Sequence, residues 1–155
     1  MNLIFRMLWV IARSCFLPRM ERTKLTSTLT LHVLPNDIDI NFHMNNGRYL
    51  TICDLNRVDV FARTGLLKTM FRRNWIPVIA EHTMTYKKPL NLFQRYQVSL
   101  DVLRWDEKYF YMTHRFMMGD RVMAEGTSKG CVYERGVGVV APERALAAVE
   151  EDRQR

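Results

Sequence analysis

Residues 46–62 have the sequence NGRYLTICDLNRVDVFA and predict one long helix. Apolar side chains recur at helical spacings through this stretch, while Thr51, Asp54 and Arg57 form one polar stripe. A helix that is apolar on several sides is mostly buried in a domain core. Gly65 is placed to end the helix, because glycine adopts the left-handed backbone of a helix C-cap without strain.

Predicted strands flank this helix on both sides. Residues 25–33 alternate between apolar and polar side chains, with a break at Ser27, and predict a half-buried strand. Four longer strands follow the helix, and two of their connections are short enough for hairpins. This order predicts an α+β fold in which an antiparallel sheet of about five strands wraps around the long buried helix. The four strands are expected at Trp75–Tyr86, Tyr96–Trp105, Tyr109–Met118 and Arg121–Tyr133.

The length of 155 residues fits one compact domain. We expect an N-terminal apolar helix and connector at residues 1–23, the main domain at 24–140, and a short C-terminal helix or tail at 141–155. The edges and outer face of an open sheet need cover, so we expect a homodimer or homotetramer.

Composition excludes several classes of site and partner. The net charge of +7 favours anionic partners, but the aromatic residues lie within strand patterns and no RNP-like motif occurs, so we expect no nucleic-acid partner. The cysteines form no CxxC pair and no two histidines share a helical ligand spacing, so we expect neither a disulfide framework nor a metal site. This cysteine usage favours a reducing, cytoplasmic location. The residues concerned are Cys15, Cys53, Cys131, His32, His43, His82 and His114.

The N-terminal residues 1–17 are mostly apolar, but this segment is too short to span a bilayer and carries Arg6 near its middle. Asn2, Arg6 and Arg13 fall on one side of the predicted helix. Two interpretations stay open. The helix lies on an anionic membrane with its arginines near the headgroups, or it packs against the domain or a partner subunit.

A polar loop leads directly into the buried helix at residues 36–49, NDIDINFHMNNGRY. The unpaired N–H groups at a helix N-terminus bind anions, including the oxyanion that forms when a carbonyl is attacked. Asp37 and Asp39 point to the same side of an extended chain, and we expect only the one nearer the helix to lie in the site, because two carboxylates crowded together resist joint ionisation. The alternative is that Asp37, Asp39 and Asn45 are turn formers and helix caps.

This loop resembles the D-x-D-x-x-G-H-x-N-N-x-x-Y signature of hotdog-fold acyl-CoA thioesterases of the 4-hydroxybenzoyl-CoA thioesterase type. The matching residues are Asp37-x-Asp39 and His43-Met44-Asn45-Asn46-Gly47-Arg48-Tyr49, and the stretch Ile79-Ala80-Glu81 to Tyr86, with Lys88-Pro89, resembles the family's second strand and its ending. The resemblance implies a hotdog fold and hydrolysis of an acyl-CoA thioester at a dimer interface, without a further cofactor.

Carried over by position, Asp39 is the catalytic carboxylate, either as general base for water or as nucleophile through an anhydride. The backbone N–H of Asn46 or Gly47 would hold the thioester oxygen. Asn45 and His43 would shape the loop or position water, and His43 is also chemically apt as a general base. Basic residues between positions 63 and 95 are candidates for binding the phosphates of CoA.

One departure from the family signature concerns Phe42, which stands where the family usually has glycine. We expect this loop not to adopt a positive φ there, which favours altered activity or a shifted acyl pocket. The alternative function is a non-catalytic acyl-CoA or lipid-binding hotdog protein. A hotdog hydratase is disfavoured, because its D-x-N-P-x-H loop places the histidine five residues after the aspartate, whereas His43 follows Asp39 by four.

Overall fold

The computed structural model describes residues 2–154, in which the helices and strands follow the predicted order with two additions. One addition is a helix directly after the long central helix, and the other is a short strand near the C-terminus. A single 3-10 turn at Pro35–Asp37 precedes the polar loop. The elements are α1 (Asn2–Cys15), β1 (Thr26–His32), α2 (Asn46–Thr64), α3 (Leu66–Arg73), β2 (Trp75–Tyr86), β3 (Arg95–Trp105), β4 (Phe110–Met118), β5 (Arg121–Glu134), β6 (Gly138–Val140) and α4 (Pro142–Arg153).

The strands form one antiparallel sheet in the order β1-β3-β4-β5-β2, and β6 pairs with the end of β5. The predicted α+β architecture is confirmed, with six strands instead of about five. The order differs from a simple meander, because β2 pairs with β5 and not with β3, its neighbour in sequence. Strand alternation predicts which residues form strands, but it does not specify which strands pair.

Helix α2 packs against the inner face of this sheet, as its apolar pattern predicts. Tyr49, Ile52 and Leu55 are fully buried in the core. The side-chain amide of Asn56 donates hydrogen bonds to the backbone oxygens of Ser27 on β1 and Val98 on β3, at 3.2 Å each. The helix is therefore fixed in position by buried polar contacts as well as by apolar packing.

Helix α1 packs on α2 with its charged side facing inward. The guanidinium of Arg6 donates to Asp37 at 2.6 Å, and Arg13 lies 3.6 Å from Asp59. The arginines thus bind buried carboxylates. The interpretation that places them near lipid headgroups is therefore wrong. The opposite side of α1 exposes large apolar side chains, between 48% and 68% accessible, at Ile4, Phe5, Leu8 and Trp9. No helix among residues 2–154 is long and apolar enough to cross a membrane.

Strand β2 is an edge strand of twelve residues, and several of its exposed side chains are apolar. Val78, Ile79 and Tyr86 are each more than a third exposed. Pro77 fits here because an edge strand has backbone positions whose N–H is not needed for pairing. The register with β5 shifts between Ile79 and Glu81, which marks a β-bulge.

Candidate active site

The polar loop between β1 and α2 folds back on itself. Ile38 and Met44 form an antiparallel bridge, and the Asp39 N–H donates to the carbonyl of His43 at 3.0 Å. The N–H of Asn45 donates to the carbonyl of Asp37 at 2.8 Å. These bonds hold the two aspartates beside the first turn of α2, where the sequence places the candidate site.

Phe42 adopts a φ of 61°, in the left-handed region, so the expectation that this loop avoids a positive φ is wrong. The N–H of Phe42 donates to the carbonyl of Asp39, which closes the turn, and Phe42 is 78% exposed. A non-glycine residue in this region stores about 1–3 kcal/mol of strain. Phe42 therefore adopts a left-handed backbone at the position where the signature has glycine, the residue that adopts it most readily.

Asp37 is buried and neutralised. Its carboxylate binds Arg6 at 2.6 Å, lies 3.5 Å from the Nε of Arg48, and accepts the N–H of Leu34 at 2.9 Å. Only 2% of the side chain is accessible. Its role is structural, since it joins α1, the loop and α2 and has no access to a substrate.

Asp39 differs from Asp37 in exposure and in partners. Its side chain is 21% exposed, and its Oδ1 accepts the N–H of Asn41 at 2.8 Å in a tight Asx turn. The Nδ1 of His43 lies 3.8 Å from the same oxygen. Asp39 is thus a carboxylate with no arginine partner among residues 2–154. It opens toward solvent next to an imidazole, which is an arrangement suited to general-base or nucleophilic chemistry.

The first turn of α2 supplies the remaining predicted site residues. The side chain of Asn45 caps the helix by accepting the N–H of Gly47 at 2.9 Å. The carbonyl of Asn46 accepts the hydroxyl of Tyr86 from β2 at 3.0 Å. The cap confirms the alternative role expected for Asn45, and it competes with any oxyanion for the Gly47 N–H. The N–H of Asn46 is therefore the better candidate for the oxyanion donor.

A second polar cluster, which the sequence did not predict, lies farther along α2. Cys53 and Arg57 from α2, His82 from β2 and His114 from β4 meet between the helix and the sheet. The only sequence signal is that Arg57 and both histidines fall within otherwise apolar segments. Their juxtaposition depends on the pairing of β2 with β5, so no spacing in the sequence reports it.

Burial makes both imidazoles and the thiol of this cluster neutral at physiological pH. Desolvation, together with the nearby Arg57 and His82, lowers the pKa of His114 to about 3. The pKa of His82 is lowered by desolvation and then by Arg57. Desolvation raises the pKa of the Cys53 thiol to about 12.

The ligand atoms of Cys53, His82 and His114 lie within 4.8 Å of one another, which is a spacing that a soft metal ion can use. The guanidinium of Arg57 argues against a cation at this position. Its Nη2 lies 3.4 Å from a nitrogen of each imidazole and places a positive charge between them. The cluster therefore suits an electron-rich ligand better than a metal ion.

Comparison with known families gives one match over most of the chain. The family model described as Thioesterase-like superfamily matches residues 33–149, which include the whole candidate site and every strand of the sheet except β1. Protein THEM6 from Xenopus laevis is 40% identical over 85 residues, which cover 55% of this chain and 41% of that protein. The chain spans about half the length of the curated relatives it matches.

Solved structures confirm the hotdog fold. A DHNA-CoA thioesterase from Staphylococcus aureus superposes with a TM-score of 0.69 at 13% identity, covering 83% of this chain and 91% of that chain. The protein SAV2348 from Staphylococcus aureus, solved in complex with CoA, superposes with a TM-score of 0.64 at 19% identity, covering 89% of this chain and 87% of that chain. At these identities the likeness shows the fold alone.

Proposed function

Since this chain belongs to the thioesterase-like superfamily, we propose that it hydrolyses the thioester of an acyl-CoA to a free acid and CoA. The observation that carries the proposal is the contrast between the two aspartates of the loop. Asp37 is buried against two arginines, whereas Asp39 is partly exposed beside His43 and directly follows Ile38, which forms an antiparallel bridge with Met44 ahead of α2. One reactive carboxylate next to helix N–H groups is a suitable arrangement for acyl transfer to water.

Two routes are compatible with this geometry. In the first, Asp39 accepts a proton from water as the water oxygen bonds to the thioester carbon, the C–S bond breaks, and the thiolate of CoA takes up the proton. In the second, the Asp39 carboxylate attacks the carbon itself, giving an anhydride and CoA, and water then hydrolyses the anhydride. In both routes the Asn46 N–H stabilises the charge that develops on the carbonyl oxygen.

The experiment that tests this function is thiol release from a panel of short, long and aromatic acyl-CoAs. We expect hydrolysis of at least one class above the uncatalysed rate. Tight binding of a non-hydrolysable acyl-CoA analogue without turnover of any ester would favour the non-catalytic acyl-CoA or lipid-binding alternative. One observation favours this alternative: the side chain of Asn45 already accepts the Gly47 N–H, which could otherwise bind the thioester oxygen.

We further propose that the protein assembles through the open edge of β2, as a dimer or as a tetramer made of two such dimers. The strand is long and unpaired on one side among the residues 2–154 that the structure describes, and its exposed apolar side chains include Val78 and Ile79. The candidate site lies near one end of this edge, because Tyr86 of β2 bonds to Asn46. A second copy would thus cover the site.

Light scattering is expected to give at least twice the 18.4 kDa of one chain. Ile79→Lys places a charge at the free edge and should shift the mass toward that of a monomer. A monomeric wild-type protein, or a variant with unchanged assembly, would contradict pairing through β2.

The exposed side of α1 supports a proposal of peripheral membrane contact from the cytoplasmic side. Phe5 and Leu8 lie on this side, and the loop that the Arg6–Asp37 bond joins to α1 exposes Phe42. Phe93, whose N–H donates to the carbonyl of Val33, is exposed on the loop before β3. A net charge of +7 adds attraction to anionic lipids. The three cysteines are free, which supports a reducing compartment.

Flotation with vesicles that contain anionic lipid tests the membrane contact. The double variant Phe5→Ser, Leu8→Ser should bind at least about tenfold more weakly, because each side chain loses burial worth roughly 1.5–3 kcal/mol. The matched control is Leu103→Ser, Val137→Ser, which changes two equally exposed apolar residues on other surfaces. Equal binding of both variants would contradict a role for α1.

A further inference from the structure

The polar cluster between α2 and the sheet contains more hydrogen-bond donors than acceptors. Within residues 2–154, the buried atoms Arg57 Nε, His82 Nε2 and His114 Nδ1 have no hydrogen-bond partner. A buried donor without an acceptor costs about 1–3 kcal/mol, and native structures rarely leave several together. Three such atoms in one place are therefore unusual.

The tautomers follow from what Arg57 can do. A guanidinium only donates, so the nitrogens that face its Nη2 at 3.4 Å, His82 Nδ1 and His114 Nε2, are acceptors. The Ser128 hydroxyl, 2.8 Å from the same His114 Nε2, then donates to it. Each neutral imidazole then carries its proton on the other nitrogen. Those protonated nitrogens are His82 Nε2 and His114 Nδ1, which have no partner. Together with Arg57 Nε, all three atoms without a partner are therefore N–H donors.

The position of the cluster relates it to the candidate active site. Arg57 follows Asn46 by eleven residues on α2, which corresponds to about 16 Å along the helix axis. Strand β2 runs beside α2 over this stretch. Tyr86 contacts Asn46 at one end, and His82 contacts Arg57 at the other. A substrate chain that enters at the first turn of α2 and follows the helix reaches the cluster after about twelve carbons.

Beyond Arg57 lies a narrow apolar cavity of about 40 Å³, lined by Val60, Leu100, Phe110 and other apolar residues. Among the residues that the structure describes, Arg57 is the one charged residue in its lining. A water needs about 10–15 Å³ of cavity volume, so the cavity admits only a few further methylene groups. The end of a chain of this length would therefore lie at the cluster.

We propose that Arg57, His82 and His114 form a recognition site for a neutral oxygen, a hydroxyl or keto group, at the far end of a medium-length acyl chain. This inference rests on the proposed function and specifies its substrate class as oxygenated acyl groups. A neutral oxygen fits better than a carboxylate, because Asp54 already balances the charge of Arg57 in an ion pair. The oxygen accepts hydrogen bonds from the N–H groups that have no partner. An unsubstituted chain would leave these groups unpaired.

The test compares dodecanoic acid with 12-hydroxydodecanoic acid, which differ by one oxygen atom. Calorimetric titration of the full chain is expected to show about tenfold tighter binding of the hydroxy acid. This gain corresponds to the formation of one or two hydrogen bonds, one of them from a charged donor. His82→Leu removes one donor from a half-buried position and should reduce the preference to about threefold or less. His32→Leu, at an exposed position of β1, is the matched control and should keep it.

Free acids make the outcome independent of catalysis. Equal affinity for the two acids, no detectable binding of either, or a preference that survives His82→Leu would each overturn the recognition site. A tenfold preference in binding, with neither dodecanoyl-CoA nor 12-hydroxydodecanoyl-CoA hydrolysed, would support the recognition site while rejecting the thioesterase. A matching preference in kcat/KM for the hydroxy ester would support both.

Discussion

Asp39→Asn is expected to lower the turnover of acyl-CoA by about 100-fold or more while leaving the protein folded. The amide can neither accept a proton from water nor attack the thioester carbon, so both proposed routes lose their reactive group. The fold is expected to persist because Asn retains an Oδ1, which can still accept the N–H of Asn41 in the Asx turn. Initial rates of thiol release, with thermal unfolding measured in parallel, separate the two effects.

Two comparisons make this result specific to Asp39. Asp120→Asn changes an exposed carboxylate at the turn between β4 and β5 and should alter neither rate nor stability. Asp37→Asn should lower the thermal stability, since it removes charge from the pair with Arg6. Rates for Asp39→Asn within about threefold of the wild type would show that another group activates the water.

Local sequence was sufficient to predict the junction between the loop and α2. Asp39, His43 and Asn45 are all within a few residues of the helix start, so their proximity follows from the chain itself. The identity of Asn45 as a cap and of Gly65 as the C-terminal stop followed from side-chain chemistry that acts over one turn. The catalytic roles of these residues stay predictions until the rates are measured.

Contacts between distant elements could not be predicted in the same way. A helical wheel places Arg6 and Arg13 on one side of α1, but it does not tell whether water, lipid or a buried carboxylate faces that side. The groups that face this side are Asp37 and Asp59. They lie 31 residues from Arg6 and 46 residues from Arg13 in sequence, respectively. Short-range patterns carry no information about such partners.

The Phe42 backbone shows a different limit. Residue preference argued against a positive φ, because a side chain there costs about 1–3 kcal/mol. Hydrogen bonds of the surrounding turn fix the backbone regardless, since Asp39 and Asn45 are tied to their partners on either side. Tertiary context can override the preference of one residue when its side chain has room outside.

Asp59→Ala is expected to lower the free energy of unfolding by about 3–5 kcal/mol, which is a large part of the total stability of a domain of this size. The Asp59 carboxylate is fully buried on α2 and accepts the hydroxyls of Ser14 from α1 and Ser27 from β1, at 2.7 Å each. Arg13 and Arg63 lie 3.6 and 3.5 Å from its oxygens. Alanine would leave two guanidinium groups and two hydroxyls without their shared acceptor.

Urea denaturation of Asp59→Ala and of the exposed control Asp120→Ala measures this effect. The control should remain within about 0.5 kcal/mol of the wild type, as surface substitutions generally do. Asp59→Asn separates the charge from the hydrogen bonds, because the amide keeps one acceptor oxygen but cannot neutralise the arginines. If Asp59→Asn is as destabilising as Asp59→Ala, the charge of the carboxylate holds α1 on the domain; if it is nearly as stable as the wild type, the hydroxyl contacts are sufficient.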